Sequence, residues 1–200
     1  MVVRILTFLF GLAILSSQVE MNFSYEMKYG DGQQVKDTAS NDPDTSLYNY
    51  FENLLDVNTY IGDNIYIYSQ VEHSDAPVFG NTQSGINTFF LEYQSDDLSM
   101  KIGSLYELFG RGMVYYTNYD QAIDYDNSIK GLSSNYQVND ELSISTMIGK
   151  GDINFRSNPS FRKTDRELNT SVTMISLLGE HQKIGYYQLL GLRQKLIISS

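Results

Sequence analysis

Met21-Asn-Phe-Ser-Tyr-Glu-Met-Lys-Tyr29 alternates without a fault. Met21, Phe23, Tyr25, Met27 and Tyr29 fall on one side, and Asn22, Ser24, Glu26 and Lys28 fall on the other. Side chains of an extended chain point to opposite faces in turn. A period of two over nine residues therefore predicts a strand with one apolar and one wet side. The pattern returns downstream. Phe51, Leu55, Val57, Thr59 and Ile61 oppose Glu52, Asp56 and Asn58, and Ile65, Ile67 and Val71 oppose Tyr66, Tyr68, Gln70 and Glu72. Phe89, Leu91 and Tyr93 then oppose Thr88, Glu92 and Gln94; Leu98, Met100, Ile102 and Tyr106 oppose Ser99, Lys101 and Glu107.

Turn lengths check this reading, because residues opposite one another in an antiparallel pair share a face. Ile61 and Ile65 flank Gly62-Asp63-Asn64, Tyr93 and Leu98 flank Gln94–Asp97, and Val138 and Leu142 flank Asn139-Asp140-Glu141. Each pair is apolar on both sides, and Gly, Asn and Asp supply hairpin chemistry. Longer polar connections fall near 31–47, 74–85, 109–128 and 151–166. Two strands of poorer alternation, about 167–178 and 183–197, bring the expected total to nine.

The first residues form a different unit. Met1-Val-Val-Arg4 precedes an apolar run, Ile5–Leu15, and then Ser16-Ser17-Gln18. This is the order of an export signal, and eleven helical residues reach only about 16 Å, too short to anchor a chain in a bilayer. Residues 1–17 are read as a signal peptide and 18–200 as one β domain. Loss of Arg4 would take the net charge from −10 to −11.

Composition narrows the chemistry. There is no Cys, which excludes disulfides and a thiol nucleophile, and the negative charge argues against a nucleic-acid partner. His73 and His181 are far apart and lack metal-ligand spacing. The chain has 16 Tyr, 10 Phe and no Trp, with only 3 Pro to interrupt ladders. Strands expected to run nine to eleven residues exceed the usual five or six of soluble sheets. Tyr25, Tyr29, Phe51, Tyr93 and Tyr106 lie toward strand ends, where a membrane barrel carries aromatic girdles. Short turns alternate with long connections. The expected fold is thus an all-β, antiparallel up-and-down meander of the outer-membrane β-barrel type. Nine strands are an odd number and no terminal aromatic strand is evident, so the barrel is expected to be incomplete at its C-terminal side.

Three segments resemble, in order and separation, the N-terminal portion of an uncharacterised family of large outer-membrane β-barrels of Bacteroidota and related marine bacteria. They are Tyr50-Phe-Glu-Asn-Leu-Leu-Asp-Val-Asn58, Leu105-Tyr-Glu-Leu-Phe-Gly-Arg-Gly-Met113 and Ile123-Asp-Tyr-Asp-Asn-Ser-Ile-Lys-Gly131. The likeness covers residues 20–155. It implies fold and location, with outer-membrane lipid and the barrel-assembly machinery as partners, and no activity.

With apolar positions turned to lipid, Glu26, Glu52, Asp56, Tyr66, Tyr68, Glu72, Glu92 and Glu107 would line an interior opposite Lys28 and Lys101. Such a surplus of carboxylates would concentrate cations. Tyr66 and Tyr68 offer stacking surfaces for sugars, or simply fill the wall. Arg111, between Gly110 and Gly112, would be a constriction charge, or the glycines would mark a bend or inward-folding loop with Arg111 paired to Glu107. Asp120–Asp126 lacks the spacing of a calcium loop. No nucleophile–base set and no metal or cofactor motif appears. The expected function is porin-like passage or binding of small solutes; a plugged, partner-binding scaffold and a membrane-embedded hydrolase are the rivals.

Overall fold

Backbone ladders organise nearly every stretch that the computed structural model of the protein describes, namely residues 18–35, 45–75, 82–120, 125–155, 166–181 and 185–199. Among these no helix is long and apolar enough to cross a membrane, which leaves open a crossing by strands. The expected export segment, residues 1–17, lies outside the described residues.

Strands β1 (Val19–Val35), β2 (Thr45–Ile61), β3 (Ile65–Asp75), β4 (Gln83–Gln94) and β5 (Leu98–Leu105) follow one another as antiparallel neighbours. The chain then makes two small ladders, β6 (Leu108–Phe109) with β7 (Tyr115–Tyr116) and β8 (Tyr119–Asp120) with β9 (Tyr125–Asp126). It rejoins the sheet through β10 (Ile129–Asn139), β11 (Leu142–Phe155), β12 (Arg166–His181) and β13 (Gly185–Ser199). The result is one nine-stranded antiparallel meander, the number and order expected. β1 and β13 are its edges, and no ladder joins them among the described residues.

The strands are longer than the apolar alternation alone implied. β1 and β2 each span 17 residues, pairing continuously from Val19↔Ile61 to Val35↔Thr45. Polar residues Gly30–Gln34 continue the ladder beyond Tyr29, so the first long connection shrinks to 36–44. Once a register is set, each added pair of residues satisfies its backbone groups whatever its side chains.

Register keeps the expected shared face at the first two hairpins, with a shorter loop in the second, and shows a bulge at the third. Ile61 faces Ile65 across Gly62-Asp63-Asn64 as expected. Tyr93, however, faces Met100, and Ser95 N–H bonds Leu98 O at 2.8 Å, so Asp96-Asp97 is the loop. Leu142 faces Asn139, and Val138 is the extra residue of a bulge between Gln137 and Asn139. The short-turn end is also stitched sideways. Gly62, Gln94, Gln137 and Glu180 donate backbone N–H bonds of 2.8–2.9 Å to the carbonyls of Gln18, Asn64, Asp97 and Glu141.

The ladders sort side chains onto two faces. One face carries Met21, Phe23, Tyr25, Met27, Tyr29, Val57, Ile67, Leu91, Met100, Ile102 and Ile148, and nothing in the described chain packs over it; Phe23 is 65% and Tyr29 72% exposed. Tyr29, Phe51 and His73 make edge-to-face contacts across β1, β2 and β3 on this side (centroids 6.4 and 6.3 Å). Over the other face lie Tyr106–Asp120, with Tyr125–Ser128 beside them. Phe109 and Tyr115 join Leu105, Ile129, Met147, Val172 and Met174 in an apolar core, with Leu190 and Leu192 against it. Burial pushes the Tyr115 phenol up to about 12, so it stays protonated at neutral pH.

The partition is inverted relative to a water-soluble sheet. Gln70, Ser74, Thr88, Ser104, Ser133, Ser143 and Ser176 are buried, while large apolar side chains stand exposed. β13 departs from the rule: Leu190 and Leu192 lie on the covered side, and Arg193 and Lys195 on the open one.

Tyr106 corrects a further expectation. Gly103 adopts φ +118°, the β4–β5 ladder stops at Phe90↔Gly103, and Ser104 Oγ accepts the Phe89 N–H at 3.3 Å in place of a backbone partner. β5 thereby parts from β4 while Ser104 and Leu105 stay paired with β10, and past Leu105 Tyr106 turns to the covered side, where its hydroxyl meets Thr88 Oγ1 and Asp126 Oδ2. It is not part of an apolar girdle.

Gly131 faces Gly149 across β10 and β11, and a Cβ on Gly149 would overlap Ile129 Cγ2 and the Lys130 carbonyl. Ile129, fully buried, rests on this bare patch. Gly149→Val is expected to destabilise the folded protein by about 2–3 kcal/mol. Gly191→Ala, whose Cβ would find Ile175 Cγ2 at an ordinary 3.4 Å, should change stability by less than about 0.5 kcal/mol. Urea titration of both variants checks this; equal losses would refute the close-approach role of Gly149.

Candidate functional site

The covered face of β2–β4 is built around Gln70. β2 presents Asp56 directly opposite Gln70 of β3, with Tyr68 and Glu72 two residues away on the same side. In β4 a bulge opposite Gln70/Val71 adds Asn87 to this side, beside Thr88. Gln70 is only 2% exposed, and its amide is used at both ends. Nε2 donates to Asp56 Oδ1 at 2.9 Å, while Oε1 accepts from Asn87 Nδ2 at 3.3 Å and from the Tyr119 hydroxyl at 3.4 Å. Tyr68 donates to Asp56 Oδ1 at 2.7 Å. Asn87 Nδ2 also reaches Glu72 Oε2 at 2.9 Å, and Ser74 donates to the other Glu72 oxygen. A buried polar group without a partner costs about 1–3 kcal/mol, so closing this network is a condition for burying it.

The remaining expected residues distribute around that hub. Tyr66 donates to Asn58 Oδ1 at 2.7 Å and stacks on Tyr60. Glu92 pairs with Lys101 at 3.1 Å, and Lys101 Nζ lies 4.6 Å from the Phe90 ring centre. Glu52 stands 3.9 Å from Lys28, which is closer to Glu26 at 3.0 Å. Glu107 sits apart on the far side, accepting Ser133 Oγ at 2.7 Å. Asp56, Tyr68 and Glu72 are thus brought together, Glu92 and Glu107 border a second space, and Glu52 stands apart beside Lys28.

Arg111 is displaced from the expected geometry. It forms the tip of the β6–β7 hairpin in a 3-10 turn, Gly110–Gly112, exposed and with φ 57°. Glu107, its expected partner, bonds Ser133 and receives its own backbone fixation from Thr117, whose Oγ1 accepts the Glu107 N–H at 2.7 Å. The glycines therefore serve the turn, in agreement with the bend reading.

Where β4 and β5 part, a cleft of about 340 Å³ opens between Glu72 and Asn87 on one side and Lys130 and Asp152 on the other, with Tyr125 and Asp126 at its edge. Lys130 bridges the gap, donating to Ser104 Oγ at 2.7 Å and to the Asn87 carbonyl at 3.2 Å. A second cleft, about 300 Å³, is lined by Glu92, Ser99, Lys101, Glu107, Ser133 and Asn135. Among the described residues no group of three His, Cys, Asp or Glu side chains is placed to hold a metal ion. Of the acidic stretch 120–126, residues 121–124 lie outside the described residues, and Asp126 caps Ser128 N–H at 2.7 Å. His73 Nδ1 contacts Ser84 Oγ at 3.3 Å.

Residues 3–178 match DUF6029, a family of unknown function. The chain belongs to that family. The match ends within β12, so β13, where the two faces exchange polarity, lies beyond it. No curated protein matches this DUF6029 member.

Sequence reading missed Asn87, Tyr119 and Lys130. Asn87 entered through a bulge, which period counting cannot see; Tyr119 and Lys130 act across 49 and 43 residues of chain. Gln70 carried a visible signal, an amide on the polar side of an otherwise clean strand.

Chemically, the face offers carboxylates, amides, phenols and two cross-strand ion pairs, suited to hydrogen-bonding polar solutes. Asp56→Ala removes the acceptor shared by Tyr68 and Gln70 and is expected to cost about 2 kcal/mol. Asp56→Asn, which keeps an acceptor oxygen, should recover at least half of that loss. Urea midpoints of the two variants decide it: equal losses would show that Asp56 acts through its charge rather than as an acceptor.

Proposed function

We propose that this protein is an exported, outer-membrane β-barrel component whose covered polar face contacts small solutes, in the manner of a porin. The observation that carries the reading is the inverted partition: an open apolar face on β1–β4 and a buried polar one behind it. Left in water, each large side chain on the open face forgoes about 1.5–3 kcal/mol of burial; hydrocarbon removes that penalty. Val19 to Tyr29 spans about 33 Å along the strand, and at a tilt near 40° rises about 25 Å, the height of a barrel's lipid-facing band. The row Tyr29–Phe51–His73 stands at one margin of that band and Tyr93 near the other, as girdle residues would. In this reading the edges of β1 and β13, which no ladder joins among the described residues, have to be paired in the membrane, because unpaired backbone groups cost several kcal/mol each in hydrocarbon.

A second reading, a plugged scaffold, has its own support in Tyr106–Asp120, which lie over the covered face and are fixed there by Phe109, Tyr115 and Tyr119. Conductance separates the two. In planar bilayers the full-length protein should open channels that favour K⁺ over Cl⁻, given the carboxylates of this face; a correctly inserted but silent protein would favour the scaffold.

The membrane assignment has its own test, eased by the absence of cysteine. Single cysteines at Met21, Phe23 and Tyr25, labelled with an environment-sensitive fluorophore in lipid vesicles, should emit at shorter wavelength and be quenched by lipid-phase quenchers. Labels at Asn22 and Ser24 should behave oppositely. Uniformly aqueous emission at all five positions would end the membrane reading.

A further inference from the structure

The covered face holds a strip of aromatic rings that the Gln70 network leaves largely unused. Tyr60 and Tyr66 stack with centroids 4.8 Å apart and planes at 18°. Tyr66 meets Phe90 edge-on at 5.6 Å, and Phe90 lies 5.4 Å from Tyr68. The rings come from β2, β3 and β4 in adjacent rows of the ladder, Tyr60↔Tyr66 and Tyr68↔Phe90. Phe90 faces Gly103, so no side chain stands opposite it on β5. Into this space Lys101 places its ammonium, 4.6 Å from the Phe90 centroid and 3.1 Å from Glu92. Beyond Lys101 lies the cleft of about 300 Å³, its walls made of Ser99, Glu107, Ser133, Asn135 and Ser145. Its volume is at the lower end of small-ligand sites, roughly 300–1,000 Å³.

Packing alone does not account for the strip. A buried Tyr hydroxyl finds a partner in any fold, but a charged group, the Lys101 ammonium, also stands over the Phe90 ring. Here the flanking groups are Asn58 on the Tyr66 hydroxyl, Asp56 on the Tyr68 hydroxyl, and the Glu92–Lys101 pair. Tyr60, at the rim near the Gly62 turn, is 42% exposed. A wholly apolar ligand would leave the polar lining without partners, at a cost for each group. An anion would meet Glu92 and Glu107. The complementary ligand has a flat C–H face for the rings and a periphery of hydroxyls that both donate and accept.

We infer that Tyr60, Tyr66 and Phe90, together with the Lys101 cleft, form a binding site for uncharged carbohydrate. Pyranose rings lie along the aromatic strip, and their hydroxyls bond Glu92, Lys101 and the serine and asparagine side chains of the cleft. The inference rests on the reading of this face as the solute-contacting one, and names the solute class.

Folded full-length protein in detergent is titrated with maltotriose, laminaritriose and N,N′-diacetylchitobiose, with digalacturonic acid as the anionic comparison. Binding is read by saturation-transfer NMR and by intrinsic tyrosine fluorescence, free of tryptophan background. At least one neutral sugar should bind, more tightly than digalacturonic acid. Tyr60→Leu, at an exposed position, should weaken that binding about tenfold, and Glu92→Gln should weaken it with the fold retained. Absence of binding by all three neutral sugars overturns the inference, as does binding that both variants leave unchanged. Sugar binding by a protein that fails to conduct would remove the porin reading and keep the site; conduction without sugar binding would do the reverse.

Discussion

A backbone ladder decides which of two faces each side chain takes, and the nine-stranded sheet repeats that decision at every pairing from β1 to β13. A slip of one residue in any ladder would exchange the faces of everything beyond it. The side chains from Met21 to Tyr29 have meaning only because β2 holds β1 in register from Val19↔Ile61 onward, and Asp56 meets Gln70 only because Ile61 meets Ile65. Departures from strict alternation are few and local. The bulge at Asn87 adds an amide to the Gln70 network, the bulge at Val138 adds a residue before a turn, and at Gly103, with its positive φ, β5 parts from β4 while keeping its pairing with β10.

Sequence made the main sheet legible because alternation and turn chemistry are independent signals that agreed over β1 to β3. The same logic failed where one residue more or less enters a strand. Val138 read as a regular strand residue because the bulge there has no compositional mark, and Tyr106 read as an apolar-face residue because the alternation of β5 does not carry past Leu105. The long connections were overestimated for another reason. Gly30–Gln34 has no hydrophobic pattern, yet ladder formation continues through it. Of the candidate site, the carboxylates and tyrosines of β2 and β3 were placed on the correct side, whereas their actual partners were hidden. Gln70 depends on Tyr119, and Lys130 on Asn87, contacts that only the folded chain creates.

Tyr106–Asp120, which follow β5, lie on two different floors. Beneath Phe109 and Tyr115 the floor is Met147, Val172 and Met174, beside the bare backbone of Gly149 and Gly151, and the contact is dry. Beneath Tyr119 it is Gln70, and the contact is a hydrogen bond. The apolar end fixes the segment in place, while the polar end borders the groups proposed to meet solute. Leu190 and Leu192 of β13, turned to the covered side, complete the apolar end.

The junction of β4 with β5 pairs only Phe90–Gln94 with Ser99–Gly103, whereas β1 and β2 zip along their entire length. Mechanically the sheet is two stiff leaves, β1–β4 and β5 with β10–β13, joined along a short crease. Lys130 and Tyr119 act as tie-rods across that crease, the first at the wall and the second through the inserted segment. Past Phe90↔Gly103 no ladder joins the two leaves among the described residues, so the opening between Asn87 and Lys130 is spanned by side chains rather than by backbone pairing.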